Sequence, residues 1–148
     1  MKTRQGILIK APLKKVYAAA ARIEAWPGIL SHYRWVHILR AGRVERLVDM
    51  AAWRDGFPCR WQSRQVLHPG KAVYFLHTKS FWTQGMEVWW RFKKVKGGMT
   101  LVSLDHDQAP SSNPFLEWFR QHVVGELFVE NIAAKTMAGL KRHLEAGT

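Results

Sequence analysis

The stretch FPCRWQSRQVL, residues 57 to 67, places its chemistry at every second position. At the period of a strand, Phe57, Cys59, Trp61, Ser63, Gln65 and Leu67 share one face, while Pro58, Arg60, Gln62, Arg64 and Val66 share the other. The first register reads as a core face until Ser63 and Gln65 interrupt it. An unpaired buried polar group costs about 1–3 kcal/mol, so this hydroxyl and amide need partners, which either a ligand or water in a cavity or a side chain of a neighbouring strand would supply. His77 and His106 extend the set, because each falls mid-strand, where an inward imidazole can move a proton near neutral pH. Tyr33 adds a phenol able to protonate or hydrogen-bond a ligand oxygen. Trp90 and Phe92 share a face with Met86 and Val88 and supply an apolar wall. LDHDQ, residues 104 to 108, has the residue types of a metal site, but alternation sends Asp105 and Asp107 to one face and His106 to the other. Neither a Gly-rich phosphate loop nor an HExxH pattern occurs, so the expected chemistry uses no metal and no organic cofactor.

These side chains must be positioned by a succession of short elements. TRQGILIKAP alternates as a first strand and ends at Pro12, ready for the first turn of a helix. Leu13, Val16, Ala20 and Ile23 then follow helical spacing until Trp26-Pro27-Gly28 stops it, and GILSH makes a turn or second small helix. YRWVHIL begins a run of six extended segments, the later five at about 43–54, 57–68, 71–82, 85–96 and 99–109. Asp55-Gly56, Pro69-Gly70, Gln84-Gly85 and Gly97-Gly98 divide them, which predicts an antiparallel meander. Asn113 is placed to cap, and Pro114 to start, one helix of roughly 30 residues running to about Ala146, near 45 Å long. Such a helix covers only part of a seven-stranded curved sheet, and the uncovered part is a candidate cavity.

The chain has 148 residues, enough for one domain over 1–148. Its opening lacks the apolar core of a secretory leader and no run approaches the length needed to span a bilayer, so a cytoplasmic protein is expected. One cysteine excludes an internal disulfide. Lys and Arg exceed Asp and Glu by 23 to 11, a net charge of +12. Arg40, Arg43, Arg46, Arg54, Arg60 and Arg64 crowd strands two to four, where they read as a solvated exterior. Together they suit an acidic protein or an anionic membrane surface. Nucleic acid is not expected, since no helix-turn-helix or RNA-recognition signature accompanies the charge.

With these elements in order, the chain resembles the START-like, helix-grip superfamily (SRPBCC), particularly its polyketide cyclase/dehydrase and coenzyme Q-binding branch. The resemblance rests on IKAPLKKVYAAAARIEAWPGIL near the start, WQSRQVL in the fourth strand, GMEVWWRF in the sixth and FVENIAAKTMAGLKRHLE in the final helix. It implies an α+β fold of the Bet v 1 type, in which the sheet wraps the long C-terminal helix around a deep apolar pocket, with two short helices after the first strand. It also implies that Trp26, Tyr33, Trp61, Ser63 and Trp90 line the pocket. Gln65 falls where cyclases of this type carry an arginine, and a neutral amide stabilises an enolate less than a cation does.

The resemblance implies one of two activities for the same pocket. As an aromatase/cyclase the protein would bind a poly-β-ketone, delivered by an acidic acyl carrier protein docked on the basic strands, and promote aldol cyclisation and dehydration, with Tyr33 and Gln65 orienting carbonyls and His77 or His106 shuttling a proton. As a carrier it would hold a lipid or quinone without catalysis. Ligand contacts in either case are expected from Trp26, Tyr33, Trp61, Ser63, Gln65, Met86, Val88 and Trp90.

Overall fold

A computed structural model describes residues 1–80 and 83–146. Seven strands form one antiparallel sheet: β1 (Lys2–Ile9), β2 (Tyr33–Ala41), β3 (Glu45–Arg54), β4 (Phe57–His68), β5 (Ala72–Lys79), β6 (Glu87–Val95) and β7 (Met99–Asp107). Their spatial order is β1-β7-β6-β5-β4-β3-β2, the meander that the turn signals predict, with β1 added beside β7. At the Asp55-Gly56 turn both residues take positive φ, 48° and 88°, the backbone that lets a two-residue hairpin follow the twist of its strands. The last two residues of the expected 71–82 strand, Phe81 and Trp82, lie outside the described residues.

Between β1 and β2 lie α1 (Leu13–Ala21), a single 3₁₀ turn and α2 (Trp26–Ile29). Val16 and Ala20 of α1 point into the core with Ile23, Trp26 and Leu30. The C-terminal helix begins with α3 (Pro114–Phe119), where the Asn113 side chain accepts from the backbone N–H groups of Phe115 and Leu116. It ends with α4 (Glu130–Ala146). The ten residues between them, Arg120–Val129, wind as a π-helix where a plain α-helix was expected. Gly125 sits within that stretch against Met1: a Cβ there would stand 3.0 Å from the Met1 Sδ.

Gly139 of α4 lets the helix approach α2, since a Cβ at this position would fall 2.4 Å from a Leu30 methyl. Leu30 is buried and has little room to retreat. Gly139→Leu is therefore expected to destabilise the fold by about 1–3 kcal/mol despite its better helix propensity. Denaturant unfolding checks this, and an unchanged midpoint would mean that the α2–α4 contact opens freely.

Bulges bend the sheet. The β2–β3 register shifts between Tyr33 and Trp35 and again between Ile38 and Arg40, and the β4–β5 register shifts at Gln62/Ser63. The inner face of the sheet packs Ile9, Val48, Met50, Val73, Phe75, Trp90 and Leu104 against the helices. Among the described residues, no helix is long and apolar enough to cross a membrane.

Candidate functional site

A cavity of about 230 Å³, open at one end, lies between the concave face of the sheet and the C-terminal helix. It falls just under the roughly 300–1,000 Å³ usual for pockets that hold drug-sized ligands. Its walls are mostly rings. Trp26 meets Tyr33 edge-on at 5.1 Å and Trp90 at 5.8 Å, and Trp61 stacks on His77 at 5.8 Å with an 11° tilt. Met50, Phe75, Met86, Val88 and Leu104 fill the sheet side, while Val124, Val129, Ile132 and Ala133 close it from the helix.

The mouth lies at the β3–β4 hairpin. Phe57 is half exposed and packs edge-on against Phe128 at 5.3 Å. Asp55 at the hairpin turn is ion-paired with Lys135 of α4, which ties this rim to the helix. Arg60 is the one charged side chain lining the cavity among the described residues, and it is already held by Asp49 through two bonds of 3.1 and 3.0 Å. The Cys59 thiol beside it is half-buried, and burial pushes its pKa up.

The interior polar groups are uncharged. Desolvation is the main cause that holds His77 at a pKa of about 3, with nearby His106 adding to it; the same burial holds His106 at about 4 against a partial upward pull from Asp105. Both rings are therefore neutral at physiological pH. Burial likewise drives the Tyr33 phenol well above its ordinary value, partly offset by the Thr136 hydroxyl. Thr136 donates to the Ile132 carbonyl at 2.8 Å and lies 2.9 Å from His32 Nε2, which must then be the donor of that pair. Trp26 donates its indole N–H to the Ala19 carbonyl at 3.0 Å, so its contact with a ligand is through the ring face.

The cavity thus brings together Trp26, Tyr33, Trp61, His77, Met86, Val88, Trp90 and His106. It does not include Ser63 or Gln65, contrary to the sequence-based expectation. Both are fully buried on the inner face of β4, past the bulge at Gln62/Ser63, and neither side chain reaches the lining. Gln65 donates to the Ala21 carbonyl at 3.0 Å, and its own carbonyl accepts from Arg46 Nε at 2.8 Å. Arg46 also reaches Ala21 O at 3.0 Å and Glu24 at 3.1 Å. Arg46 is thus turned inward and is not part of the solvated exterior. The reason is that Ala21 ends α1, whose last carbonyls lack helical partners, and Gln65 with Arg46 caps the Ala21 carbonyl. The Ser63 hydroxyl has no partner among the described residues. Asp105 and Asp107 face outward and His106 inward, and no group of three metal-binding side chains occurs among the described residues.

Sequence reasoning passed over Thr136, Ser80 and Thr83 as lining residues. Thr136 had a signal, since it interrupts the apolar face formed by Ile132, Ala133, Met137 and Leu140, as Ser63 interrupts β4. Ser80 and Thr83 had none, because they sit beside a turn whose fold determines where they point.

A curved antiparallel sheet gripping a long C-terminal helix over an internal cavity defines the START/Bet v 1-like, helix-grip class of fold. The chain belongs to the polyketide cyclase/dehydrase and lipid transport family, which matches residues 9–136. Solved structures agree in fold. TTHA0849 from Thermus thermophilus aligns over 100% of this chain and 99% of its own, at 19% identity and a TM-score of 0.81. The Zhui aromatase/cyclase from Streptomyces aligns over 99% and 98%, at 21% identity and a TM-score of 0.73. A START superfamily protein from Mycobacterium smegmatis aligns over 99% of both chains, at 14% identity and a TM-score of 0.73. No curated protein matches the chain in sequence.

Proposed function

We propose that the protein binds one neutral, flat, oxygen-bearing apolar molecule, polyketide-derived or quinone-like, and holds it away from water. The observation that carries this reading is the cavity wall: aromatic rings interspersed with imidazoles and hydroxyls, and no unpaired charge among the described lining residues. A carboxylate or phosphate drawn into it would lose its hydration without gaining a cation. Membership of a family of polyketide cyclases and lipid transporters supports the same ligand class.

Catalysis of aldol closure and dehydration is a second reading, supported by the family and by Tyr33, His77 and His106 around one cavity. It asks more of these groups. Imidazoles with pKa values of about 3 and 4 are weak bases toward a carbon acid, and the arginine position of related cyclases is a glutamine committed to α1.

Tryptophan quenching tests the binding reading with 1-tetralone, a neutral aromatic ketone, against 1-naphthoate, an anion of similar size. The ketone is expected to bind at least about tenfold tighter, and Ala133→Phe to remove its binding by filling the cavity. Equal or tighter binding of 1-naphthoate would overturn it. For the catalytic reading, a carrier-bound polyketone is the substrate, and a product pattern unchanged by Tyr33→Phe, His77→Phe and His106→Phe would end it.

A further inference from the structure

His77 on β5 and His106 on β7 stand on the inner face of the sheet, separated by β6 with Met86 and Val88 between them. Two strand spacings and a two-residue offset along the strands put their backbones roughly 12 Å apart. Their hydrogen-bonding states differ. His77 Nδ1 lies 2.8 Å from the Thr83 hydroxyl, and Thr83 gives its proton to Ser80 Oγ at 2.7 Å. A hydroxyl has one proton to give, so Thr83 must accept from His77 Nδ1–H. The other ring nitrogen, Nε2, then carries a lone pair, and no described residue partners it.

His106 is more than nine-tenths buried, and its Nδ1 has no partner among the described residues. Thr3, its direct neighbour across the β1–β7 pair, has a buried hydroxyl that is equally unpartnered. The two do not bond each other. A proton on Nδ1 would be a buried N–H with no acceptor, so the ring proton sits on Nε2, the nitrogen left to the cavity that this ring lines.

We propose that His77 and His106 form a matched acceptor and donor for a ligand bearing a phenol or enol hydroxyl and, across its ring system, a carbonyl. The hydroxyl donates to His77 Nε2, and His106 Nε2–H donates to the carbonyl. This rests on the cavity being a pocket for a neutral flat molecule, and it names the class within that: hydroxyketones, in preference to ethers and hydrocarbons of the same shape. Discrimination comes from the protein side, because a ligand lacking either group leaves a buried ring nitrogen without a partner.

The test uses 6-hydroxy-1-tetralone, its 6-methoxy analogue and tetralin, titrated at pH 7 against wild type, His77→Phe and His106→Phe. Wild type is expected to prefer the hydroxyl compound over the methyl ether by about tenfold. His77→Phe should bring that ratio near one while keeping the preference of the methoxyketone over tetralin. His106→Phe should abolish the second preference. Imidazole nitrogen NMR of wild type gives a readout independent of variant folding: both rings should shift with the hydroxyketone, and only His106 with the methoxyketone. Ratios unchanged in the variants, or ring nitrogens unmoved by bound hydroxyketone, would overturn the pair. If all three compounds bind equally, the pocket reading survives and the pair fails; if none binds, both fail.

Discussion

Taking the protein from pH 7 to pH 5 is expected to lower its unfolding free energy by about 3–4 kcal/mol, most of it from two side chains. His77 and His106 titrate near 3 and 4 in the fold but near 6.5 once unfolded. Below pH 6.5 the unfolded chain therefore takes up two protons that the folded chain refuses, so stability falls as pH falls. Each histidine costs about 1.4 kcal/mol per pH unit across its window, from 6.5 down to its folded value. The carboxyls of Asp55, Glu117 and Glu145, held low by their partners, add losses of the same sign only in a more acid range. Urea unfolding at pH 7, 6 and 5 reads the slope. His106→Phe should remove about half of the change, whatever it does to the absolute stability. A free energy flat from pH 7 to 5 would mean that water or a counter-charge reaches these rings.

Gln65→Leu is expected to cost about 2–4 kcal/mol and to lower Tm by roughly 5–15 °C, while leaving affinity for 1-tetralone within a few fold. The leucine would leave the Arg46 Nε–H without its acceptor and remove one of the two donors on the Ala21 carbonyl. These groups are buried beneath α1 and are not rehydrated without opening it. Arg46→Met breaks the same network, so the double variant should be less destabilised than the sum of the two. Thermal melts with ligand titration below the transition separate the possibilities. A loss of affinity beyond tenfold in folded Gln65→Leu would return Gln65 to the ligand site.

The contrast between Trp61 and Gln65 shows where sequence reading stops. Turn dipeptides such as Asp55-Gly56 and Gly97-Gly98 determined the meander, because positive φ is tolerated by few residues and marks the hairpins directly. Asn113 and Pro114 determined where the final helix starts, through a cap that needs no distant partner. Alternation likewise assigned His77, Trp90 and His106 to the inner face, since the period of a strand is local. What covers an inner face is not local. Trp61, Ser63 and Gln65 share one register, yet the first lines the cavity and the last caps a helix more than forty residues earlier in the chain. Arg46, indistinguishable by type from its exterior neighbours, was turned inward by the same carbonyl. Only the docking of α1 over the end of β4, with a bulge at Gln62/Ser63, decided that division. The pairing of His77 with Thr83 was decided in the same way, because hydrogen-bond partners are chosen by proximity in space and periodicity carries no record of it.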